Sequence, residues 1–442
     1  MTSVRVVITG LGAVSPLGLT VDEMWAGLTA GRCGIARIKA FDPTGLPCEL
    51  GGEVPLYRIQ DHVPKALRKA TKLMCRDIEL SVIAAKEAVT TSGLITKGID
   101  PEKVNVEPTR FAINMGAGMI SCDLEELGPA TAASVVDGRF DIRKWGADGI
   151  RQITPLWLLK YLPNMLACHI GIIHDIQGPS NTITCAEASA HLAIGEAAQI
   201  IARGDADIAL AGGAEAKVNM MIMVRQNLLK RVVTNRNDAG PSACRPFDAN
   251  AAGAVFGEGG GILVLENLDH AKARGARILA EIAGIGQSHS IHTPYVEMEP
   301  EGTGIRIAVE KAISDAGIEA DDLDLIVPHG TGVPHDDLAE ARGLEAALGA
   351  AVHRIAVWPT KSQLSTTGAA AGALDVIAAV RAMNERLIPP ARNFTRPADG
   401  CNLNILTERR EGSIRHALCC SHTFGGQTAA VVLKSFEGDA KP

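Results

Sequence analysis

At 442 residues, 46% hydrophobic and 21% charged, the chain is long enough for two or three domains, or for one large core built from two halves. Its net charge of −7, with no Lys/Arg stripe, argues against nucleic acid as a partner. No apolar run approaches the roughly eighteen residues that a membrane span requires, and the start MTSVRVVITGLG runs into a strand pattern without a basic-then-apolar leader.

The opening VRVVITGLGAVSPLG is a β-branched run closed by glycines and predicts a buried strand followed by a turn. Its GLG lacks the full GxGxxG spacing of a dinucleotide loop, since GLGAVS ends in serine, so a nicotinamide enzyme is the weaker reading. Helix formers with apolar residues at helical spacing predict a helix over 64–90, and FAINMGAGM predicts a strand over 111–119. A helix over 188–204 stopped by Gly204, the strand DIALAGGAEA and the strand AVFGEGGGILVLE over 254–266 follow.

After residue 270 the same grammar restarts. ARILAEIAGIG reads as a strand and GIRIAVEKAISDAG as a helix with Gly317 past its end. Strand LDLIVPHG, helix DDLAEARGLEAALG, strand RIAVWPTK, helix AAGALDVIAAVRAM and strands SIRHALCCS and TAAVVLKSFE complete the chain. The alternation implies α/β class, parallel βαβ units with both sheet faces covered, and two similar halves, 1–268 and 269–442. Ten cysteines without a CxxC pair or zinc-type spacing read as reduced thiols. Together these features predict a cytoplasmic protein without metal or cofactor.

Seven segments in order resemble the β-ketoacyl-acyl-carrier-protein synthases of type II fatty acid and polyketide assembly. They are RVVITGLGAVSPLG, LPNMLACHIGIIHDIQGPS, ADIALAGGAEA, RPFDANAAGAVFGEGGGILVLE, VPHGTGVPHDDLAEARGL, KSQLSTTGAAAGA and SHTFGGQTAAVVL. The resemblance covers nearly the whole chain and implies the thiolase fold, two βαβ-type halves in a five-layer αβαβα core.

It also implies where the condensing residues should stand. The family's nucleophilic cysteine lies nine residues after the glycine of Gly-Pro, and here that position is Glu187. The first histidine survives as His329 in HGTG and the lysine as Lys361, but the second histidine, five residues on, is Thr366. Cys185 lies two residues upstream of the nucleophile's place. A shift of even ~1 Å costs on the order of 100-fold, so Cys185 reads as a small thiol packed beneath the turn. Glu187 is expected to cap the following helix through its backbone N–H groups. An ionised glutamate only accepts hydrogen bonds and repels a developing enolate, which weighs against a decarboxylase. Asp337 and Glu340 match family acids expected to organise the loop and pair with Lys361.

Phe424, Gly425 and Gly426 match the family's FGG turn, whose phenylalanine gates the acyl pocket. Thr423 and His422 replace the Gly-Phe that usually precedes it. The segment Met115–Leu124 matches the family's dimer-interface stretch, with Met119 at the pocket-floor position of the substrate tunnel. Taken together, the resemblance implies a chain-length factor: a degenerate subunit forming a heterodimer with an active ketosynthase and served by an acyl carrier protein. The alternatives are a malonyl-carrier-protein decarboxylase or a condensing enzyme using Glu187 or Cys185, and an acyl-binding homodimer without turnover.

Overall fold

The computed structural model describes residues 4–293 and 297–436. Ten strands form one hydrogen-bonded sheet: β1 (Val6–Val14), β2 (Phe111–Ala117), β3 (Ser180–Ile183), β4 (Ile208–Ala216), β5 (Glu258–Asn267), β6 (Ala280–His289), β7 (Leu325–Val327), β8 (Ala356–Val357), β9 (His416–His422) and β10 (Gln427–Lys434). Their order is β8-β7-β9-β10-β6-β1-β5-β4-β2-β3. Read outward from the centre, each set of five follows the same path. The two sets meet where β1 and β6 pair antiparallel, Val6 opposite Ile282.

Six helices cover these strands: α1 (Arg76–Thr91), α2 (Met165–His174), α3 (Ser189–Ala202), α4 (Thr303–Ala316), α5 (Pro334–Leu348) and α6 (Ala371–Glu385). Helices α3 and α6 pack on strands of both sets and form the middle layer; α1 and α2 cover the first set outside, α4 and α5 the second. Three apolar clusters fill the spaces between these layers. Ala190, Ile194, Leu374 and Ile377 lie in the middle one. Ile78, Leu80 and Ile83 of α1 anchor the first outer cluster, and Ile305, Val309 and Leu344 the second. At about 25 cal/mol per Å² of buried apolar surface, these faces supply the main drive for folding.

The glycines of the two central strands explain how the helices dock. A Cβ at Gly12 would stand 1.9 Å from the Ala84 carbonyl oxygen of α1, and one at Gly286 1.8 Å from that of Ala308 in α4. Gly10 and Gly284 stand likewise against Ala88 and Ala312. The GLG of the opening strand is therefore a helix-docking groove inside β1. It is not a strand-to-helix phosphate loop, and the nicotinamide reading fails on that point.

The elements differ from the sequence expectation mainly at their ends. The helix expected over 64–90 begins at Arg76, because 65–67 and 70–73 form separate single turns and Cys75 is extended. The strand expected in RIAVWPTK shrinks to Ala356–Val357. The stretch between β2 and α2 is irregular. It contains a small hairpin (135–140) and short helical turns that expose Val135, Val136, Phe140, Ile142, Leu156 and Leu158.

Candidate functional site

The turn joining β3 to α3 carries the position of interest. Ala186–Ala188 form a single 3-10 turn, with Ala186 at φ 44°. A left-handed conformation at a non-glycine residue costs about 1–2 kcal/mol, and it aims Glu187 inward. Glu187 is 8% exposed and lies 3.4 Å from the Nζ of Lys217, which lies 3.2 Å from Glu215 in turn. Glu215 is fixed from its other side by the backbone N–H of Ala369 at 2.7 Å. Gly118 and Gly368 leave room for it, since a Cβ at either would fall within about 2 Å of its carboxylate.

The result is a buried triad, carboxylate–ammonium–carboxylate. Burial opposes the charge on Glu187, but Lys217 and Arg231 outweigh it and hold its carboxyl below the usual range. Burial likewise opposes the Lys217 ammonium, while Glu215 and Glu187 raise its pKa. Glu187 and Lys217 are thus both ionised in the fold. The expectation that Glu187 caps α3 is not met: its side chain faces the ammonium, and α3 has no side-chain cap.

Glu187, Glu215 and Lys217 form one side of a cavity of about 470 Å³. Its walls include Met119, Pro163, Leu229 and Phe424, with Arg225 and Gln226 also facing it. Thr184 and Ala186 reach this cavity, whereas Cys185 between them is not among its lining residues. Cys185 is half-buried, its N–H donates to Ser189 Oγ at 2.8 Å, and burial raises its thiol pKa, so the reactive thiolate is disfavoured. Met119 is 61% exposed at the mouth, with Arg225 Nη1 3.3 Å from its sulfur.

A second group lies deeper. Glu340 accepts the backbone N–H groups of His329 at 2.7 Å and Gly330 at 2.8 Å. Asp337 accepts those of Thr331 at 2.9 Å and Phe247 at 2.8 Å. Both acids therefore organise the HGTG loop as expected. Neither pairs with Lys361, however. Its ammonium pairs with Asp375 of α6 and donates to the Pro328 carbonyl at 3.3 Å. Burial pushes the Asp375 carboxyl up to about 6 despite that ammonium. Asp375 was missed because it lies inside an apolar helical pattern, fourteen residues beyond Lys361.

Thr366 is fully buried and its hydroxyl has no hydrogen-bond partner among the described residues. His422 stacks edge-on against His329 with ring centroids 4.7 Å apart, and its Nε2 lies 3.5 Å from Glu340. Burial disfavours the His422 imidazolium, but Glu340 outweighs it and raises the pKa. Burial and the neighbouring His422 push His329 well below its ordinary value, so its ring is neutral. Arg231 pairs with Asp336 and lies 4.7 Å over the Phe424 ring, tying the gate-position phenylalanine to a buried ion pair. Lys217 was missed as well. The signal lay in its i, i+2 spacing from Glu215, which puts two charges on one face of an otherwise apolar strand end.

A two-set α/β core with two central helices, and a nucleophile-type turn at the start of one of them, defines a thiolase-fold ketosynthase. Comparison with known proteins agrees. Residues 3–271 match the β-ketoacyl synthase N-terminal domain and 279–395 its C-terminal domain. The 3-oxoacyl-[acyl-carrier-protein] synthase 2 of Vibrio cholerae is 33% identical over 98% of this chain and 100% of its own length. That of Staphylococcus aureus is 32% identical over 98% and 99%. The chain belongs to the β-ketoacyl synthase family. Among solved structures, the ishigamide ketosynthase/chain length factor superposes with a TM-score of 0.84 at 28% identity, covering 99% of this chain and 100% of that one. A β-ketoacyl synthase from Burkholderia phymatum superposes with 0.85 at 28%, covering 98% and 100%. No helix among the described residues is long and apolar enough to cross a membrane.

Proposed function

We propose that this chain is the chain-length factor of a bacterial type II polyketide synthase. It pairs with an active ketosynthase that condenses malonyl units held on an acyl carrier protein. One observation carries the reading: the nucleophile's place holds an ionised glutamate locked to Lys217. A carboxylate there cannot hold an acyl chain as a thioester. A buried triad that is costly to break also keeps the position from being freed for substrate. Thr366 in place of the second histidine supports the same conclusion. So does the likeness to a ketosynthase/chain length factor.

The partnership places a physical demand on the surface. Exposed Met119, Leu124, Val135, Phe140 and Leu158 cluster in the segment around and after β2, and β3 is the edge strand of the sheet. A partner ketosynthase covering this face would bury the patch and bring Met119 against the partner's tunnel. Coexpression tests the pairing. The chain should copurify with its cognate ketosynthase at 1:1, and the complex should condense acyl and malonyl carrier proteins. Robust condensation by the single purified chain would overturn the reading.

A second reading, malonyl-carrier-protein decarboxylase, is favoured by the His329–His422 pair alone. Two imidazoles near one reacting carbonyl could donate to its enolate oxygen. Against it stand the ionised Glu187 and the burial of both histidines behind the cavity lining. Carbon dioxide release from malonyl carrier protein, lost in His422→Phe, would favour this reading over the first.

A further inference from the structure

The reading above leaves open what keeps a ligand in the cavity away from the two buried imidazoles. Phe424 is the residue that both regions share. It lines the cavity, and it stands in the turn between β9 and β10, two residues past His422. Arg231, Asp336, His329 and His422 are almost wholly buried, and none of them is among the lining residues. The phenyl ring is therefore a wall, with the cavity on one side and these polar side chains on the other. Of the lining residues only Met119 and Thr184 are exposed, so the cavity opens beside them.

Phe424 is not free to swing. The Arg231 guanidinium lies over its ring, with Cζ 4.7 Å from the centroid, and a desolvated cation there attracts the ring face. The same guanidinium is held by Asp336 at the start of α5. Burial opposes the charge on Asp336, but His335 and Arg231 outweigh it and bring its carboxyl down to about 2, so the ion pair is present across the neutral range. The backbone of the turn is tethered too. His289 Nε2 donates to the Gly425 carbonyl at 2.9 Å, and the Gly426 N–H donates to the Thr423 carbonyl at 2.9 Å.

We infer that Arg231 is a positioning residue that locks Phe424 shut, so that a chain entering this cavity beside Met119 cannot reach His329 and His422. The inference rests on the chain-length-factor reading for its occupant, which enters from the partner's side. The lock itself is a property of the single chain.

A reporter thiol behind the wall measures the lock. Thr366 lies outside the cavity lining and its hydroxyl has no hydrogen-bond partner among the described residues, so Thr366→Cys removes no hydrogen bond. Cys419 and Cys420, also buried, are internal controls for general loosening. The purified full chain is labelled with iodoacetamide, and each thiol is followed by peptide mass spectrometry. With the lock intact, the thiol of Thr366→Cys should react no more than about threefold faster than Cys419 and Cys420. Adding Phe424→Ala should raise its rate at least tenfold, and so should Arg231→Leu/Asp336→Leu, which removes the ion pair whole. The two changes together should be no faster than Phe424→Ala alone, because they open one wall. Arg231→Lys keeps the charge but lacks the planar face, and should speed labelling at least threefold. Rapid labelling with the lock intact, no acceleration by Phe424→Ala, or acceleration by Phe424→Ala but by neither Arg231 variant overturns the inference. Equal acceleration of Cys419 and Cys420 does so too, because the fold has then loosened as a whole. A 1:1 condensing complex whose chain fails these tests defeats this inference alone and leaves the pairing intact.

Discussion

The Lys217 ammonium lies 3.4 Å from the carboxylate of Glu187, in the turn that leads into α3. Both side chains are almost wholly buried, so each charge depends on the other. Removing one partner of such a pair typically costs about 3–5 kcal/mol, whereas replacing both by apolar groups is often neutral.

Lys217→Met should therefore destabilise the protein by roughly that amount, since it strands two carboxylates. Glu187→Leu/Lys217→Met should recover part of the loss, because only Glu215 is then left without the ammonium and it keeps the Ala369 N–H. Urea midpoints of the two single variants and the double variant give the coupling energy directly. A coupling near zero would mean that the triad does not order the site.

Asp77 is buried beside the same triad, accepting the Ala216 N–H at 3.1 Å. Burial, with Glu215 nearby, pushes its pKa up to about 7. With the folded value raised, its contribution is fully present below the unfolded value of about 4 and is lost as pH rises through 7. Asp77→Asn should therefore gain stability over wild type at pH 8, by on the order of 4 kcal/mol at most, and by only about a third of that at pH 5. Denaturation at the two pH values checks the sign.

His422 behaves in the same direction for a different reason. Glu340 raises its folded pKa, so its stabilising contribution is present below about pH 6.5 and fades as pH rises through the folded value. His422→Phe should cost more stability at pH 6 than at pH 8.5. An equal cost at both would mean that the imidazole is merely packed.

Met119 stands at the cavity mouth, 61% exposed in the single chain and available to a partner's tunnel. Met119→Ala removes roughly two or three methylene-sized groups, and each methylene of a growing chain buried there is worth about 0.8 kcal/mol. The reconstituted complex should then make products longer by about one extension unit, and Met119→Trp should shorten them. Mass spectrometry of the products decides. Unchanged length in both variants would place the tunnel floor elsewhere.

The fold was legible because its determinants are local and repeated: β-branched strands, helical periodicity and a restart after residue 270. The glycines at 10, 12, 284 and 286 show why the halves resemble each other, since each strand needs the same close helix approach. The candidate site was half legible. Glu187, His329, Lys361 and Thr366 fall at countable distances from recognisable anchors, so their positions followed from sequence. Their partners did not. Lys217 and Asp375 sit thirty and fourteen residues away along the chain from the groups they neutralise. Only the crossing of strands and helices brings them together, and no periodicity encodes that. Glu187 was expected to seek backbone N–H groups because an N-terminal carboxylate usually does. A buried ammonium within 3.4 Å draws it away.

Intact-protein mass spectrometry of the acyl-loaded complex shows which subunit carries the chain. The complex of this chain with its ketosynthase is supplied with acyl-carrier protein and quenched before malonyl addition. The acyl mass should appear on the partner alone, and this chain should keep its unmodified mass. Cys185→Ala should change nothing, because its thiol is raised in pKa and lies outside the cavity lining. An acyl adduct on this chain, mapped to Cys185 or to any other residue, would mean that it holds substrate covalently and is not a chain-length factor.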